Sequence, residues 1–203
     1  MAVNFAVQAQ VVDIQADTPK ATDVFLVDTN VWFWISYANA GGAPYQTRNY
    51  PPFVSSAIRI GAKLLRCELS LAELAHRIEQ TELEIYQQSG GVSLKPKEFR
   101  HNYPAERTRI VAEVRTAWAT VKTMAQPLSV TVDEPTADMA LANLQGQQVD
   151  GYDLFILEAA KQGQIDKVLT DDGDYCTVPG IQVFTANRNV IAAAKAQGKL
   201  LVR

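Results

Sequence analysis

The chain has 203 residues, of which 47% are hydrophobic and 20% are charged. This balance can fill the core of one large domain or of one domain with extensions. The formal net charge of −3 argues against a protein that coats nucleic acid nonspecifically, because such proteins carry a strongly basic surface. No apolar run is long enough to span a membrane and no secretory signal is visible at the N-terminus, so we expect a cytoplasmic protein. Cys67 and Cys176 are too few for a disulfide framework.

In the first third of the chain, the clearest element is the apolar run Val24–Val27, which suits a strand buried on both faces of a parallel sheet. Residues 1–22 alternate loosely before a polar stretch, which predicts an edge strand or arm followed by a connection. The pattern predicts, in order, a short helix over 31–40 that stops at Gly41-Gly42, a loop over 41–52, a helix over 55–67 and a brief strand at 68–71.

The rest of the chain alternates helices with strands. Helices are predicted over 71–88, 105–125, 136–145, 152–162 and 188–197, and strands over 128–133, 165–170 and 181–185, with a basic loop before Pro104. The alternation predicts an α/β sandwich with a largely parallel sheet. In such sheets, ligands bind at the carboxyl ends of strands, close to the point where strand order switches.

Acidic residues follow two of these strands and open two of the helices. Asp28 follows Val24–Val27, and it could be either a site residue or the N-cap of a helix. Glu73 stands three residues after Ser70, which is also the spacing of a capping box. Asp153 lies in the first turn of a helix, where the dipole favours an anion. The last group, which could also be only a polar turn, consists of Asp171, Asp172 and Asp174.

Together these acids can point into one cleft at the carboxyl edge of the sheet. Carboxylates that lie close to one another repel and raise each other's pKa unless cations neutralise them. Oxygen ligands of this kind suit Mg²⁺ or Mn²⁺. Histidines and cysteines with zinc-binding spacing are absent from the sequence.

Three separated motifs, DTNVW, SLAEL and GYDLFILEAAKQGQIDKVLTDDGDY, resemble those of PIN-domain nucleases, in the correct order and over roughly residues 23–190. The resemblance implies a PIN-like (Rossmann-like) three-layer sandwich and a metal-dependent ribonuclease that uses Mg²⁺ or Mn²⁺. It assigns catalysis and metal binding to Asp28, Glu73, Asp153 and Asp172, with Asp174 as a further metal-site acid and Thr29, Asn30, Thr170 and Asp171 as supporting residues. The domain would cover 23–203, with residues 1–22 as an arm and an enlarged helical region at about 77–125.

A local basic stretch offers a surface that could track RNA phosphates. Its candidates are Lys95, Lys97, Arg100, Arg107 and Arg109. A solvated helix face is an equally good interpretation.

The family likeness leaves the biological role open. A toxin-type ribonuclease restrained by an antitoxin protein is the leading hypothesis, and an RNA-processing or defence nuclease without such a partner is the runner-up. A second enzyme class is a phosphatase that forms an aspartyl-phosphate, but it requires a second aspartate at the position of Asn30. The remaining alternative is a non-catalytic module that binds RNA or a protein. A homodimer, in which residues 1–22 offer a strand to exchange, is also considered.

Three further expectations concern polar and aromatic residues near these motifs. His76 lies one helical turn after Glu73, and a partly buried structural role is favoured over catalysis. At least one of the consecutive aromatic residues Trp32, Phe33 and Trp34 is expected to be exposed at the cleft, since one helix face cannot bury all three. The entrance of the cleft is expected to involve Tyr45, Arg48 and Tyr50.

Overall fold

The computed structural model describes residues 4–203, so the first three residues of the predicted arm lie outside the described part. Its centre is one six-stranded sheet in the order β1-β6-β5-β2-β3-β4, and every neighbouring pair is parallel. The strands are β1 (Gln10–Asp13), β2 (Val24–Val27), β3 (Lys63–Cys67), β4 (Gln126–Leu128), β5 (Lys167–Leu169) and β6 (Gln182–Thr185). The predicted α/β class and parallel sheet are therefore confirmed.

Eight α-helices connect or follow these strands within the described residues. They are α1 (Thr29–Ser36), α2 (Pro44–Ile60), α3 (Ser70–Gly90), α4 (Pro96–Asn102), α5 (Pro104–Met124), α6 (Glu134–Asn143), α7 (Asp153–Gln162) and α8 (Arg188–Ala196). A short 3₁₀ helix, Asp174–Thr177, follows β5. The region expected to be an enlarged helical part, about 77–125, holds most of α3 together with α4 and α5.

The sheet has a hydrophobic core on each face, which makes the fold a three-layer Rossmann-like sandwich. Along β2, Phe25 and Val27 pack into the core formed with α1, α2, α3 and α5. Leu26 points to the opposite face and packs into the core formed with α7 and α8. Because successive strand residues face opposite sides, one continuous apolar run serves both layers.

The N-terminal segment, expected to be an edge strand or arm, supplies β1, the first strand in the order of the sheet. β1 pairs in parallel with β6, and its other side meets the C-terminal segment, where Leu201 N donates to Val11 O at 2.8 Å. Val11 N donates in turn to Lys199 O at 2.9 Å. Within the described chain, β1 is therefore bonded on both sides and is not presented as a free strand.

The loop predicted over 41–52 is wrong, because most of it belongs to α2. Pro44 occupies the first helical position, where a backbone N–H would have no partner within the helix, so proline is well tolerated there. Gln46 Oε1 accepts a 2.7 Å bond from Ala43 N at the helix start. Burial of Tyr50 and Phe53 on one helix face outweighs the local turn propensity of the glycines and prolines.

Two strand boundaries also differ from prediction. The helix predicted over 55–67 ends at Ile60, because Gly61 adopts a left-handed conformation with φ of 85°. The following residues form β3, so the strand lies at Lys63–Cys67 rather than at 68–71. β4 lies at Gln126–Leu128 rather than over 128–133, and the predicted basic loop contains α4.

Among residues 4–203, no helix combines the length and the apolar character needed to cross a bilayer. Cys67 and Cys176 are buried free thiols.

Candidate functional site

The predicted acids gather where the order of the strands switches. From β2 the chain builds outward through β3 and β4, then returns to place β5 on the other side of β2. The carboxyl ends of β2 and β5 are therefore adjacent, and Asp28 and Thr170 follow them directly. Parallel sheets bind ligands at such points.

Three carboxylates converge at this edge. Asp28 precedes α1, Glu73 lies in the first turn of α3 and Asp153 is the first residue of α7. One carboxylate oxygen from each lies within 4.8 Å of the other two. They open into a cleft of about 230 Å³ whose lining also includes Thr29, Asn30, His76, Arg77, Asp150 and Asp172.

Asp28 is held on both of its carboxylate oxygens. Oδ1 accepts from Thr29 N and Oδ2 accepts from Thr170 Oγ1, each at 2.5 Å. Asp28 is thus the N-cap of α1 and a member of the acidic cluster at once, so the two interpretations of this residue are compatible. Thr170 also accepts from Asn30 Nδ2 at 3.2 Å and from Asp172 N at 2.9 Å.

Glu73 is positioned by a neighbouring element rather than by its own helix start. Thr29 Oγ1 donates to Glu73 Oε2 at 2.5 Å. The N-cap position of α3 is Leu69, and it makes no side-chain capping bond. The capping box between Ser70 and Glu73 is therefore not formed, and the Glu73 carboxylate faces the cleft.

Asp153 has a partner that the sequence interpretation missed. Tyr175, fully buried in the 3₁₀ helix, donates from its hydroxyl to Asp153 Oδ1 at 2.7 Å. In the sequence, Tyr175 is visible only as the last residue of the third motif. Its distance of 22 residues from Asp153 left no local signal for the contact.

The three aspartates after β5 take different places. Asp172 lines the cleft, and its Oδ1 accepts from Asp174 N at 2.9 Å. Asp171 is buried and turns away, accepting at 2.7 Å from both Tyr45 and Tyr50. Asp174 lies beside Asp172 but is not among the residues that line the cleft. Asp171 therefore supports the fold beneath the site rather than the cluster itself.

The electrostatics of the cluster are those of closely spaced and largely buried acids. Burial raises the pKa of Asp28 well above its ordinary value, and the charges of Asp172 and Glu73 add to this effect. Burial, followed by the charge of Asp28, likewise raises the pKa of Asp153. Burial also raises the pKa of Glu73. A divalent cation would relieve this repulsion, and an all-oxygen donor set fits Mg²⁺ or Mn²⁺.

Two basic side chains line the cleft beside the acids, both on α3. His76 is exposed, and its Nε2 lies 2.9 Å from Gln80 Nε2. The expectation of a partly buried structural histidine is therefore wrong. Arg77, which the sequence interpretation did not single out, packs its guanidinium over the Phe33 ring at 4.7 Å from the centroid.

The arginines of the basic stretch are engaged in ion pairs. Arg100 and Arg107 both contact the carboxylate of Glu79, at 2.5 and 3.1 Å. Arg109 contacts Glu82 at 2.6 Å and Glu106 at 2.8 Å. Lys95 and Lys97 are exposed and form no ion pair among residues 4–203.

The aromatic residues after Asp28 are all buried, so the expected exposed ring is not there. Trp32, Phe33 and Trp34 are at most 9% exposed, because α2, α3 and α5 surround α1 on several sides. Tyr50 is fully buried, and Arg48 lines a different cavity beside Ile14 and Phe53. Of the expected entrance residues, Tyr45 is partly exposed and bonded to Asp171.

No protein-family model and no curated protein matches the chain.

Proposed function

We propose that the chain is a metal-dependent endoribonuclease of the PIN type, which hydrolyses RNA phosphodiesters at the acidic cleft. The observation that carries the proposal is the convergence of Asp28, Glu73 and Asp153 from three different helix starts onto one point. Raised pKa values for all three describe a cluster that is costly to ionise alone. Such an arrangement is best explained by a cation that binds there.

Asp28, Glu73 and Asp153 would hold Mg²⁺ or Mn²⁺, and Asp172 lies on the same cleft to complete the set. The bound cation supplies Lewis-acid polarisation of the phosphodiester and activation of water for attack on phosphorus. Asp174 would support the site indirectly, because its backbone N–H donates to the carboxylate of Asp172 and holds it in position.

The chain's own polar groups keep these carboxylates in place. Thr29 spans two of them, with its backbone N–H on Asp28 and its hydroxyl on Glu73. Thr170 fixes the second oxygen of Asp28, and Tyr175 fixes Asp153. Arg77 sits at the same cleft, where its guanidinium can bind a nonbridging phosphate oxygen of the substrate.

RNA is proposed as the substrate because the three sequence motifs resemble those of PIN-domain nucleases. A toxin-type ribonuclease with an antitoxin partner is the preferred biological role, and an RNA-processing or defence nuclease is the alternative. The aspartyl-phosphate alternative is disfavoured by Asn30. Its side-chain amide donates to Thr170 and its Oδ1 accepts from Asp171 N. Asn30 therefore stabilises the turn after β5 and does not supply the second carboxylate that such a phosphatase requires.

The test is cleavage of end-labelled total RNA by the purified protein with Mn²⁺, Mg²⁺ or EDTA. Asp28→Asn is compared with Asp138→Asn, a matched change at an exposed position on α6, away from the cleft. We expect metal-dependent cleavage that Asp28→Asn abolishes and Asp138→Asn retains, with 5′-phosphate and 3′-hydroxyl products. Cleavage that survives EDTA and leaves a cyclic phosphate would refute the mechanism. Metal binding without cleavage of varied RNAs would favour a binding module instead.

A further inference from the structure

A second and larger cavity adjoins the acidic cleft. It has a volume of about 580 Å³ and lies between α3 and α5. His76 lines both the cleft and this cavity, so the two spaces meet at one side chain. We call the second space the α3–α5 pocket.

The α3–α5 pocket combines an apolar wall with a cationic rim. Its apolar lining consists of Leu71, Ala72, Ala75, Val111, Val114 and Trp118. Arg100, Arg107 and Arg115 also line it, against the single carboxylate of Glu79. Arg100 and Arg107 share that carboxylate, whereas Arg115 makes no ion pair with any residue in the described range. Guanidinium charge is therefore in excess.

Trp118 gives the pocket an aromatic surface. The ring is partly exposed, whereas the other two tryptophans of the chain, Trp32 and Trp34, are buried. The guanidinium of Arg66, itself buried, lies 5.1 Å from the Trp118 ring centroid and fixes the ring by a cation–π contact. A fixed, partly exposed ring beside arginines matches the recurrent composition of single-strand binding sites, where rings stack on bases and cations meet phosphates.

We propose that the α3–α5 pocket binds one nucleotide of a single-stranded RNA, next to the phosphodiester held at the acidic cleft. The base lies against Trp118 and the valines of α5, and the phosphate contacts Arg115. The volume is in the range of small-molecule sites, and the charge of the rim is opposite to that of the strand. This inference rests on the proposed nuclease function, because that function places the strand at the cleft and His76 connects the two spaces.

The direct test is quenching of tryptophan fluorescence by uridine and adenosine 5′-monophosphates and by a single-stranded RNA octamer, all in EDTA to prevent metal-dependent cleavage. We expect saturable quenching in the wild type that is lost in Trp118→Phe. Arg115→Glu is compared with Lys122→Glu, the same charge reversal at an exposed position of the same helix that does not line the pocket. Circular dichroism melting verifies that each variant is folded.

For the octamer, Arg115→Glu should weaken binding about tenfold at roughly 0.1 M salt, and the slope of log K against log salt should fall by about 0.7, as for one lost single-strand phosphate contact. Lys122→Glu should bind like the wild type. The inference is overturned if Arg115→Glu binds as tightly as Lys122→Glu, or if Trp118→Phe leaves the quenching unchanged.

A separate assay distinguishes failure of the pocket from failure of the nuclease. Metal-dependent hydrolysis of bis(p-nitrophenyl) phosphate, compared between the wild type and Asp28→Asn, tests the acidic cleft without a nucleotide. Hydrolysis that depends on Asp28, combined with unaltered octamer binding by Arg115→Glu, would overturn the pocket and leave the cleft standing. If neither RNA nor bis(p-nitrophenyl) phosphate is hydrolysed, the proposed nuclease function fails. The fluorescence titration then still decides whether the α3–α5 pocket binds a nucleotide.

Discussion

Tyr175 donates a 2.7 Å hydrogen bond from its hydroxyl to Oδ1 of Asp153, which ties the 3₁₀ helix after β5 to the start of α7. The tyrosine is only 1% exposed, so the donor side of the bond is shielded from water, while Asp153 faces the cleft. It favours the ionised form of Asp153 against burial and the charge of Asp28, which raise the pKa of that carboxyl. The bond therefore helps to keep Asp153 ready to bind a cation.

Removing this hydroxyl should weaken metal binding. In Tyr175→Phe, Asp153 loses the donor that stabilises its charge, so the proton competes better with the cation near neutral pH. Loss of such a supporting bond typically lowers metal affinity by about ten- to a hundredfold. Calorimetric titration with Mn²⁺ measures the change. Tyr86→Phe is the matched control, because the Tyr86 hydroxyl makes no hydrogen bond among residues 4–203 and its ring packs on Phe99 and Tyr103. Equal Kd values for both variants would contradict the role of Tyr175.

The neighbours Asp171 and Asp172 should respond in opposite ways to the same substitution. Asp171 accepts bonds from Tyr45, Gln46 and Tyr50, and bonds to a charged group contribute about 1.5–3 kcal/mol each. Asp171→Asn keeps part of this network and should lower the free energy of unfolding by about 2–3 kcal/mol. Asp172→Asn should leave stability unchanged or higher, because it removes a charge that repels Asp28, and should abolish cleavage.

Urea unfolding and RNA cleavage by both variants decide this prediction. A folded, wild-type-stable Asp171→Asn protein without activity would instead place Asp171 in the cleft.

Much of the layered fold follows from local patterns. The run Val24–Val27 predicted a doubly buried strand, and Phe25 and Leu26 do enter opposite cores. The edge strand and most helices were also predicted. The loop at 41–52 was wrong because the helical face of α2 is stabilised by distant partners. Tyr50, for example, bonds to Thr170 O and Ala186 N, more than a hundred residues away.

The acidic cluster was predictable because strand ends and helix starts fix where side chains emerge. Asp28, Glu73 and Asp153 come together as expected. The local pattern did not distinguish Asp171 from Asp172, because a single residue step after a strand reverses the direction of the side chain, and the assignment of Asp172 to the quartet rested on the family resemblance. It also missed the Tyr175 contact, since hydrogen bonds between distant elements leave no periodic signal.

The stability of the metal-free protein should depend on pH through Asp28 and Asp153. Their pKa values are raised in the folded state above the ordinary 3.8, so the folded protein binds more protons than the unfolded chain above that pH. The stabilising contribution is therefore fully present below about pH 4 and is lost as the pH rises through the raised folded pKa values. Asp153→Asn should flatten this fall.

Mn²⁺ should reverse the trend, because the cation replaces protons in the cluster. The increase in Tm caused by Mn²⁺ should grow with pH in the wild type and be small in Asp153→Asn. Thermal melts from about pH 4 to above the raised folded pKa values, in EDTA or in Mn²⁺, measure both effects. Identical pH profiles for the two metal-free proteins would be inconsistent with the electrostatics of the cluster.

Arg109 should stabilise the fold, in contrast to its predicted role in RNA binding. Its guanidinium contacts Glu82, whose carboxylate is buried, and Glu106. Arg109→Ala leaves the buried charge with one partner fewer, which should cost about 1–2 kcal/mol, less than a fully buried pair because Arg109 is 44% exposed. Lys97→Ala, at an exposed position without an ion pair in the described chain, should leave stability unchanged. Chemical unfolding compares the stabilities of the two variants. Equal free energies of unfolding would contradict a structural role for Arg109.

Glu158 should be a position at which an apolar residue stabilises the protein. It is 3% exposed on α7, and its Oε2 has no hydrogen-bond partner. Lys161 Nζ lies 3.9 Å from that oxygen, too far for a hydrogen bond. Replacing a poorly paired buried charge with an apolar side chain of similar volume is often stabilising. Glu158→Met should therefore raise the free energy of unfolding by about 1 kcal/mol.

The matched variant is Glu82→Met. Glu82 is also fully buried, but its Oε1 accepts from Tyr37 at 2.5 Å and its Oε2 lies 2.6 Å from Arg109 Nη1, so the same substitution removes a hydrogen bond and a close ion pair and should destabilise. Urea unfolding of both variants, at a fixed pH in EDTA, measures the difference. A loss of stability in Glu158→Met as large as in Glu82→Met would mean that the Glu158 carboxylate is well solvated or paired in solution. Opposite signs would identify it as a charge that the fold holds at a cost.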